Sequence, residues 1–332
     1  MTLVFIALVS CLLGFGTSHE LHAQQVHIHS GAGVSATQLP FWTAKHLGIY
    51  GKYGLTVELV AISSGARGMQ ALVGGSTHSA NMAAMSPIRT VLGGGEVAIV
   101  AGYLNKSLFK LVAQKDIRTP ADLRGKRIGL ANFGGSTEFG VLMALKELHV
   151  ARESVKLLPA GGSGARFAAL EAKGLDATLL PYGEALIAEK RGFTILADLP
   201  ELVKEFPDRL IIVRRASLEK DRGGVKRFLQ ATTEALFEIR NKNNRERIVP
   251  VLAKELKVDR KQAEENYEEY QGAFSAPPRI GRKGLAAVLE LMQHETGRPK
   301  AELDINRFVD ESVLDELEKE GFFKRLQAGA RK

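Results

Sequence analysis

Cysteine is nearly absent from this chain, with Cys11 alone among 332 residues. A single thiol closes no intramolecular disulfide and supports no Cys-based metal site. Cys11 also falls in a segment expected to be removed, so thiol catalysis is excluded for the cleaved form. Tryptophan is equally scarce, with Trp42 alone. Positive charge is missing from the whole start, the first Lys or Arg being Lys45. No long Lys/Arg run follows, and the net charge of +8 reads as a solvated basic surface rather than a nucleic-acid footprint. The eight histidines show no ligand spacing. His27 and His29 share one face of an expected strand and, with no partner motif, are expected at the surface.

The length of 332 residues suits two compact units. An apolar fraction of 45% and a charged fraction of 25% are those of a globular protein. Leu3 to Phe15 is almost wholly apolar. It is too short to span a bilayer and suits the apolar region of a signal peptide, although the usual basic start is missing. Leu21-His22-Ala23 would be the cleavage site and Gln24 the mature start. Leu8-Val9-Ser10-Cys11 also resembles a lipoprotein box, but the apolar run continues past the cysteine, which favours ordinary cleavage. Both readings imply export.

One stretch is written twice. Val57-Glu58-Leu59-Val60-Ala61 leads into Ser64-Gly65-Ala66-Arg67, then Ala71-Leu72 and Gly75. Val155-Lys156-Leu157-Leu158-Pro159-Ala160 leads into Ser163-Gly164-Ala165-Arg166, then Ala169-Leu170 and Gly174. Each copy reads as an apolar strand, a small-residue loop and the start of an amphipathic helix. The separation is too long for a solenoid and fits two similar α/β lobes. Two lobes with matching loops form a cleft, where small molecules bind.

Two phosphate-binding patterns are nearly met. Gly31-Ala32-Gly33-Val34-Ser35-Ala36 follows a strand as G-x-G-x-x-A, but Thr37-Gln38-Leu39-Pro40 delays the helix that a dinucleotide site needs. Gly129 to Ser136 approaches a P-loop, but Gly135 stands where the lysine belongs, which argues against nucleotide hydrolysis. What remains at Gly134-Gly135-Ser136-Thr137 is a helix start with free backbone N–H groups and two hydroxyls. That suits a carboxylate, a sulfonate or a similar head, and Ser136 or Thr137 could equally cap the helix. Elsewhere strands alternate with helices, which implies parallel sheets covered on both faces. Pro181-Tyr182-Gly183 reads as a turn, and Ile211 to Arg215 as a strand beside Phe109 to Ala113. From Val225 onward the chain is helical, with Glu264, Glu265, Glu268 and Glu269 on a solvated face.

Several stretches together resemble the solute-binding proteins of ABC transporters, in the nitrate/sulfonate/taurine and thiamine-precursor group. They are Ala44…Gly48-Ile49-Tyr50…Lys52…Gly54-Leu55…Val57-Glu58, Thr119-Pro120…Asp122-Leu123…Gly125-Lys126, and Gly174…Asp176-Ala177. The tail Val309-Asp310…Leu314…Leu317…Glu320-Gly321-Phe322 is similar too. The resemblance implies an α/β, two-lobed type II periplasmic binding fold, each lobe a mainly parallel sheet flanked by helices. A ligand would be trapped by hinge closure. Residues 24–102 with 216–332 would form one lobe and 103–215 the other, after a signal peptide at 1–23. Matching by position, the expected ligand contacts are Thr37, Gln38, Trp42, Ser64, Gly65, Met85, Ser86, Tyr103, Gly134, Gly135, Ser136, Thr137, Gly161, Pro181 and Tyr182. Trp42 could stack on a ligand or pack in the core, and Arg67 and Arg166 could face the cleft or the surface. The implied protein is a periplasmic, monomeric carrier of a small polar or anionic organic ligand. It needs no cofactor, metal or nucleic acid, and its partners are the permease subunits and a cytoplasmic ATPase. Two rivals share the fold: a pyrimidine-synthase-like enzyme of thiamine formation, whose cysteine-rich motif is absent here, and a ligand-sensing receptor subunit.

Overall fold

The computed structural model describes residues 25–32, 34–62 and 65–329. The expected leader, with Cys11 and the Leu21-His22-Ala23 site, lies outside the described residues. Ten strands run along the chain: β1 (Gln25–Ala32), β2 (Leu55–Ile62), β3 (Ser79–Met82), β4 (Val97–Leu104), β5 (Phe109–Ala113), β6 (Arg127–Leu130), β7 (Lys156–Pro159), β8 (Ala177–Pro181), β9 (Thr194–Asp198) and β10 (Arg209–Arg214). They form two five-stranded sheets, ordered β2-β1-β3-β10-β4 and β7-β6-β8-β5-β9. In each sheet four strands run one way and a single strand, β10 in the first and β5 in the second, runs against them. This is a two-lobed α/β architecture, the same sheet plan built once in each lobe.

The written repeat has a structural meaning. Its first copy is β2, the helix α1 (Gly65–Val73) and β3; its second is β7, the helix α2 (Ser163–Glu171) and β8. Both units place their strands at the same positions in the two sheets, flanking β1 and β6 respectively.

Three expectations are corrected. The strand at Arg209–Arg214 does not lie beside Phe109–Ala113; it pairs antiparallel with β3 and β4 in the first sheet. The neighbours of β5 are β8 and, at the sheet edge, β9, a half-buried strand with no alternation to mark it. Pro181-Tyr182-Gly183 is not a plain turn, because Pro181 ends β8 and caps a helix, α3 (Tyr182–Lys190). His27 and His29 are not at the surface. They are 3% and 1% exposed, and His27 stacks on Phe228 with ring centroids 4.2 Å apart. The helix α4 (Arg222–Arg240) carries Phe228 and covers that face of β1. The Ser79 hydroxyl joins the two imidazoles, at 2.7 Å from His27 Nε2 and 2.7 Å from His29 Nδ1. Burial holds both rings well below the ordinary histidine pKa, His27 at about 3, with His78 adding to the effect on His27 and His27 to that on His29.

The outer edge of the first sheet is covered by the C-terminal segment. Ile99 N–H donates to Phe308 O and Asp310 N–H to Ile99 O, both at 2.9 Å, so β4 presents no open ladder. Two connections pass between the lobes, after β4 and before β10. Asn105 binds both: its carbonyl accepts from Phe206 N–H at 2.9 Å. Its side chain donates to Arg279 O at 2.8 Å and accepts from Gly281 N–H at 3.0 Å, which adds the segment leading to the helix at Arg282–Thr296. No helix among the described residues is long and apolar enough to cross a membrane.

Candidate ligand-binding cleft

A cavity of about 560 Å³ opens between the two sheets, at the carboxyl ends of the parallel strands. The first lobe contributes Val34, Ser35, Thr37, Gly65, Met82 and Ala83, and the second Asn132, Gly134 to Thr137, Gly161 to Gly164, Arg166 and Pro181. Leu108, Phe109, Asp208 and Arg209 line it where the chain crosses. This volume suits a small metabolite.

The second wall is made of helix starts. The helix α5 (Ser136–Glu147) begins at Gly135, α2 at Gly162 and α3 at Pro181, and no side chain caps any of the three. Ser136 sits in the first turn rather than at the cap, and the Thr137 hydroxyl accepts from Ala131 N–H at 2.9 Å. Thr137 therefore anchors the loop to the strand below. Helix starts carry partial positive charge and outward N–H groups, so those at Gly135 and Gly162 favour an anion, while the first N–H of α3 meets the Glu269 carboxyl. The glycines are steric necessities. Gly134 has φ of +79°, and a Cβ on Gly135 would stand 2.6 Å from Asn132 Oδ1.

Arg166 supplies a full charge. It is 2% exposed and held by Thr178 Oγ1 at 3.1 Å, Gly161 O at 2.6 Å and Leu179 O at 2.9 Å. None of the described carboxylates forms an ion pair with it. Burial lowers its pKa to about 10, opposed by the Glu184 carboxylate, so it stays charged at neutral pH. Arg209, also in the cavity wall, is different, because Asp208 neutralises it at 2.6 Å. Its guanidinium spans the cleft, reaching Thr37 Oγ1 of the first lobe at 3.2 Å and Ser136 Oγ of the second at 3.5 Å.

The expected contacts divide. Thr37, Gly65, Gly134, Gly135, Ser136, Thr137, Gly161 and Pro181 line the cavity. Ser86 stands behind it, its hydroxyl donating to Gly134 O at 2.9 Å across the lobes. Met85 is core, and Tyr103 is buried with its hydroxyl bonded by Asn81. Tyr182 is 48% exposed, under the Lys110 ammonium rather than in the cavity. Gln38 and Trp42 line a separate pocket of the first lobe. Ser64 lies outside the described residues. Arg67 is exposed. Asp208, Arg209 and Tyr270 line the cavity without having been expected, since no local motif marks residues at a strand start or within a charged helix. Glu269 also departs from the solvated face expected of it. Burial, and then Glu184, raise its carboxyl to about 7, against the backbone N–H of Tyr182.

A family model described as NMT1/THI5 like matches residues 36–244. No curated protein matches the sequence. Among solved structures, the periplasmic aliphatic sulphonate binding protein SsuA of Escherichia coli is 18% identical with a TM-score of 0.68, over 86% of this chain and 92% of that one. The alkanesulfonate-binding SsuA of Xanthomonas axonopodis pv. citri, bound to MOPS, is 18% identical with a TM-score of 0.66, over 87% and 97%. The periplasmic nitrate-binding protein NrtA of Synechocystis PCC 6803 is 15% identical with a TM-score of 0.70, over 90% and 89%. At these identities the likeness is one of fold.

Proposed function

From membership of the NMT1/THI5-like family, to which this chain belongs, we propose that the protein is the exported solute-binding component of an ABC importer. Its ligand is a small organic anion, held between the lobes in the periplasm and delivered unchanged to membrane permease subunits driven by a cytoplasmic ATPase. The observation that carries this reading is Arg166, a buried cation in the cleft wall that forms no ion pair with a described carboxylate. Burying a charge is costly, the Glu184 carboxylate offsets only part of that cost, and a ligand carboxylate or sulfonate would supply a paired counter-charge. The uncapped helix starts at Gly135 and Gly162 aim further donors at the same space. Binding without catalysis fits the lining, whose described residues include no histidine and no cysteine. Ser163 there donates to the Glu184 carboxylate at 2.6 Å.

The test is calorimetry against small sulfonates, carboxylates and nitrate, with mass spectrometry of the recovered compound. One of them binds once per chain and is returned unchanged. Arg166→Met weakens it by about ten- to a hundredfold, the effect of losing a hydrogen bond to a charged group. Binding of uncharged compounds only, equal affinity in the variant, or turnover of the bound compound would each overturn the reading.

A further inference from the structure

The first lobe contains a second cavity of about 400 Å³, within the size range of small-molecule sites. It lies between β1, β2, the helix α6 (Leu39–His46) and the end of the helix α7 (Arg245–Leu256). Val34 is its only described lining residue that also lines the cleft. Phe41 and Trp42, the sole tryptophan, form an aromatic wall, with Leu59 and Leu256 in the lining as well.

At the buried end stands Gln38, 5% exposed. Its Oε1 accepts from Asn81 Nδ2 at 3.1 Å, and its Nε2 has no partner among the described residues. Leaving such a buried donor unpaired is unfavourable, and a ligand acceptor would relieve it. Gly31 provides the room, since a Cβ there would stand 2.5 Å from Gln38 Oε1. His29, in the same wall, is kept neutral by burial and then by His27. At the mouth stand Lys45 and Lys257, both exposed, neither ion-paired with a described carboxylate. The one carboxylate among the described lining residues, Glu255, is taken by His46 Nε2 at 2.6 Å. A spare donor inside, flat aromatic walls and two cations outside define a complementary molecule.

We propose that this pocket is a second binding site, separate from the cleft, for a small planar heteroaromatic carboxylate. A ring acceptor takes the Gln38 Nε2 hydrogen, the ring packs on Trp42 and Phe41, and the carboxylate faces Lys45 and Lys257. The site does not depend on what the cleft binds.

Trp42 reports on this pocket alone, because no tryptophan lines the cleft. The probe is nicotinate, titrated into the purified protein while Trp42 fluorescence is followed, with nicotinamide as the uncharged comparison. Nicotinate changes the signal saturably, and nicotinamide binds about tenfold more weakly, the loss of one charge-assisted contact. The double variant Lys45→Glu/Lys257→Glu, altered only at exposed positions, weakens nicotinate by at least as much at unchanged thermal stability. Gln38→Leu weakens both probes, and Ser136→Leu, which blocks the cleft, leaves nicotinate binding as it was. Absence of a saturable change at millimolar nicotinate, indifference to the lysine variant, or loss of the signal in Ser136→Leu would overturn the proposal.

Discussion

The Ser86 hydroxyl donates to the carbonyl oxygen of Gly134 at 2.9 Å, joining the first lobe to the loop that opens helix α5 in the second. A parallel tie follows one turn on, where Arg89 Nη1 reaches Glu138 Oε2 at 3.3 Å. The same Glu138 oxygen accepts the N–H of Gly134 at 2.5 Å. The helix start that lines the cleft is therefore positioned from both lobes.

Ser86→Ala should loosen this contact between the lobes without unfolding either one. One neutral hydrogen bond contributes about 0.5–1.5 kcal/mol, so affinity for the cleft ligand should fall by about two- to tenfold. Calorimetry measures the affinity and small-angle scattering the compactness. An unchanged affinity would show that the bond does not favour closure.

Gly134→Ala should destabilise the loop itself. The backbone sits at φ of +79°, and the new methyl would lie 3.3 Å from both Arg89 Nη1 and Ser86 Oγ. A non-glycine residue in that region costs about 1–2 kcal/mol, to be read as a lower midpoint in denaturant unfolding.

Glu269 should make the protein less stable as pH rises. Its folded carboxyl titrates at about 7, above the value of 4.5 for the free group. Between these pH values the folded state holds a proton that the unfolded state has lost, so stability falls through that window, and the full cost remains above it. Glu269→Gln should be more stable than the parent at pH 8 and equal to it below pH 4.5. Paired urea titrations at the two pH values decide it.

The buried histidines act in the opposite sense. His27 is held at about 3 against an ordinary 6.5, so the unfolded chain binds a proton that the folded chain refuses. Stability contributed by the neutral ring is present above pH 6.5 and is lost as pH falls toward 3. His27→Phe keeps the stacking on Phe228 and removes the titration. Its unfolding midpoint should fall less between pH 6.5 and pH 4 than that of the parent.

Much of this molecule was legible because its signals are local. The repeat ending at Gly75 and Gly174 marks two equivalent strand–helix–strand units, and the missing P-loop lysine at Gly135 leaves an uncapped helix start. What failed to show depends on partners distant in sequence. His-x-His on a strand fixes only that both rings share a face; that Phe228, two hundred residues on, covers it is invisible locally. The two arginines of the repeat are spelled alike, yet Arg67 is exposed while Arg166 is drawn inward by Thr178 and the carbonyls of Gly161 and Leu179. β10 was placed in the wrong sheet because an apolar run carries no record of its neighbours.

Asn105 ties together the outgoing connection, the returning connection at Phe206 and the segment from Arg279 to Gly281. Three lengths of chain pinned at one residue cannot swing separately. Any turning of one lobe against the other has to pivot close to this point, as leaves turn on a shared spindle. A disturbance at Asn105 would therefore be felt by all three lengths at once.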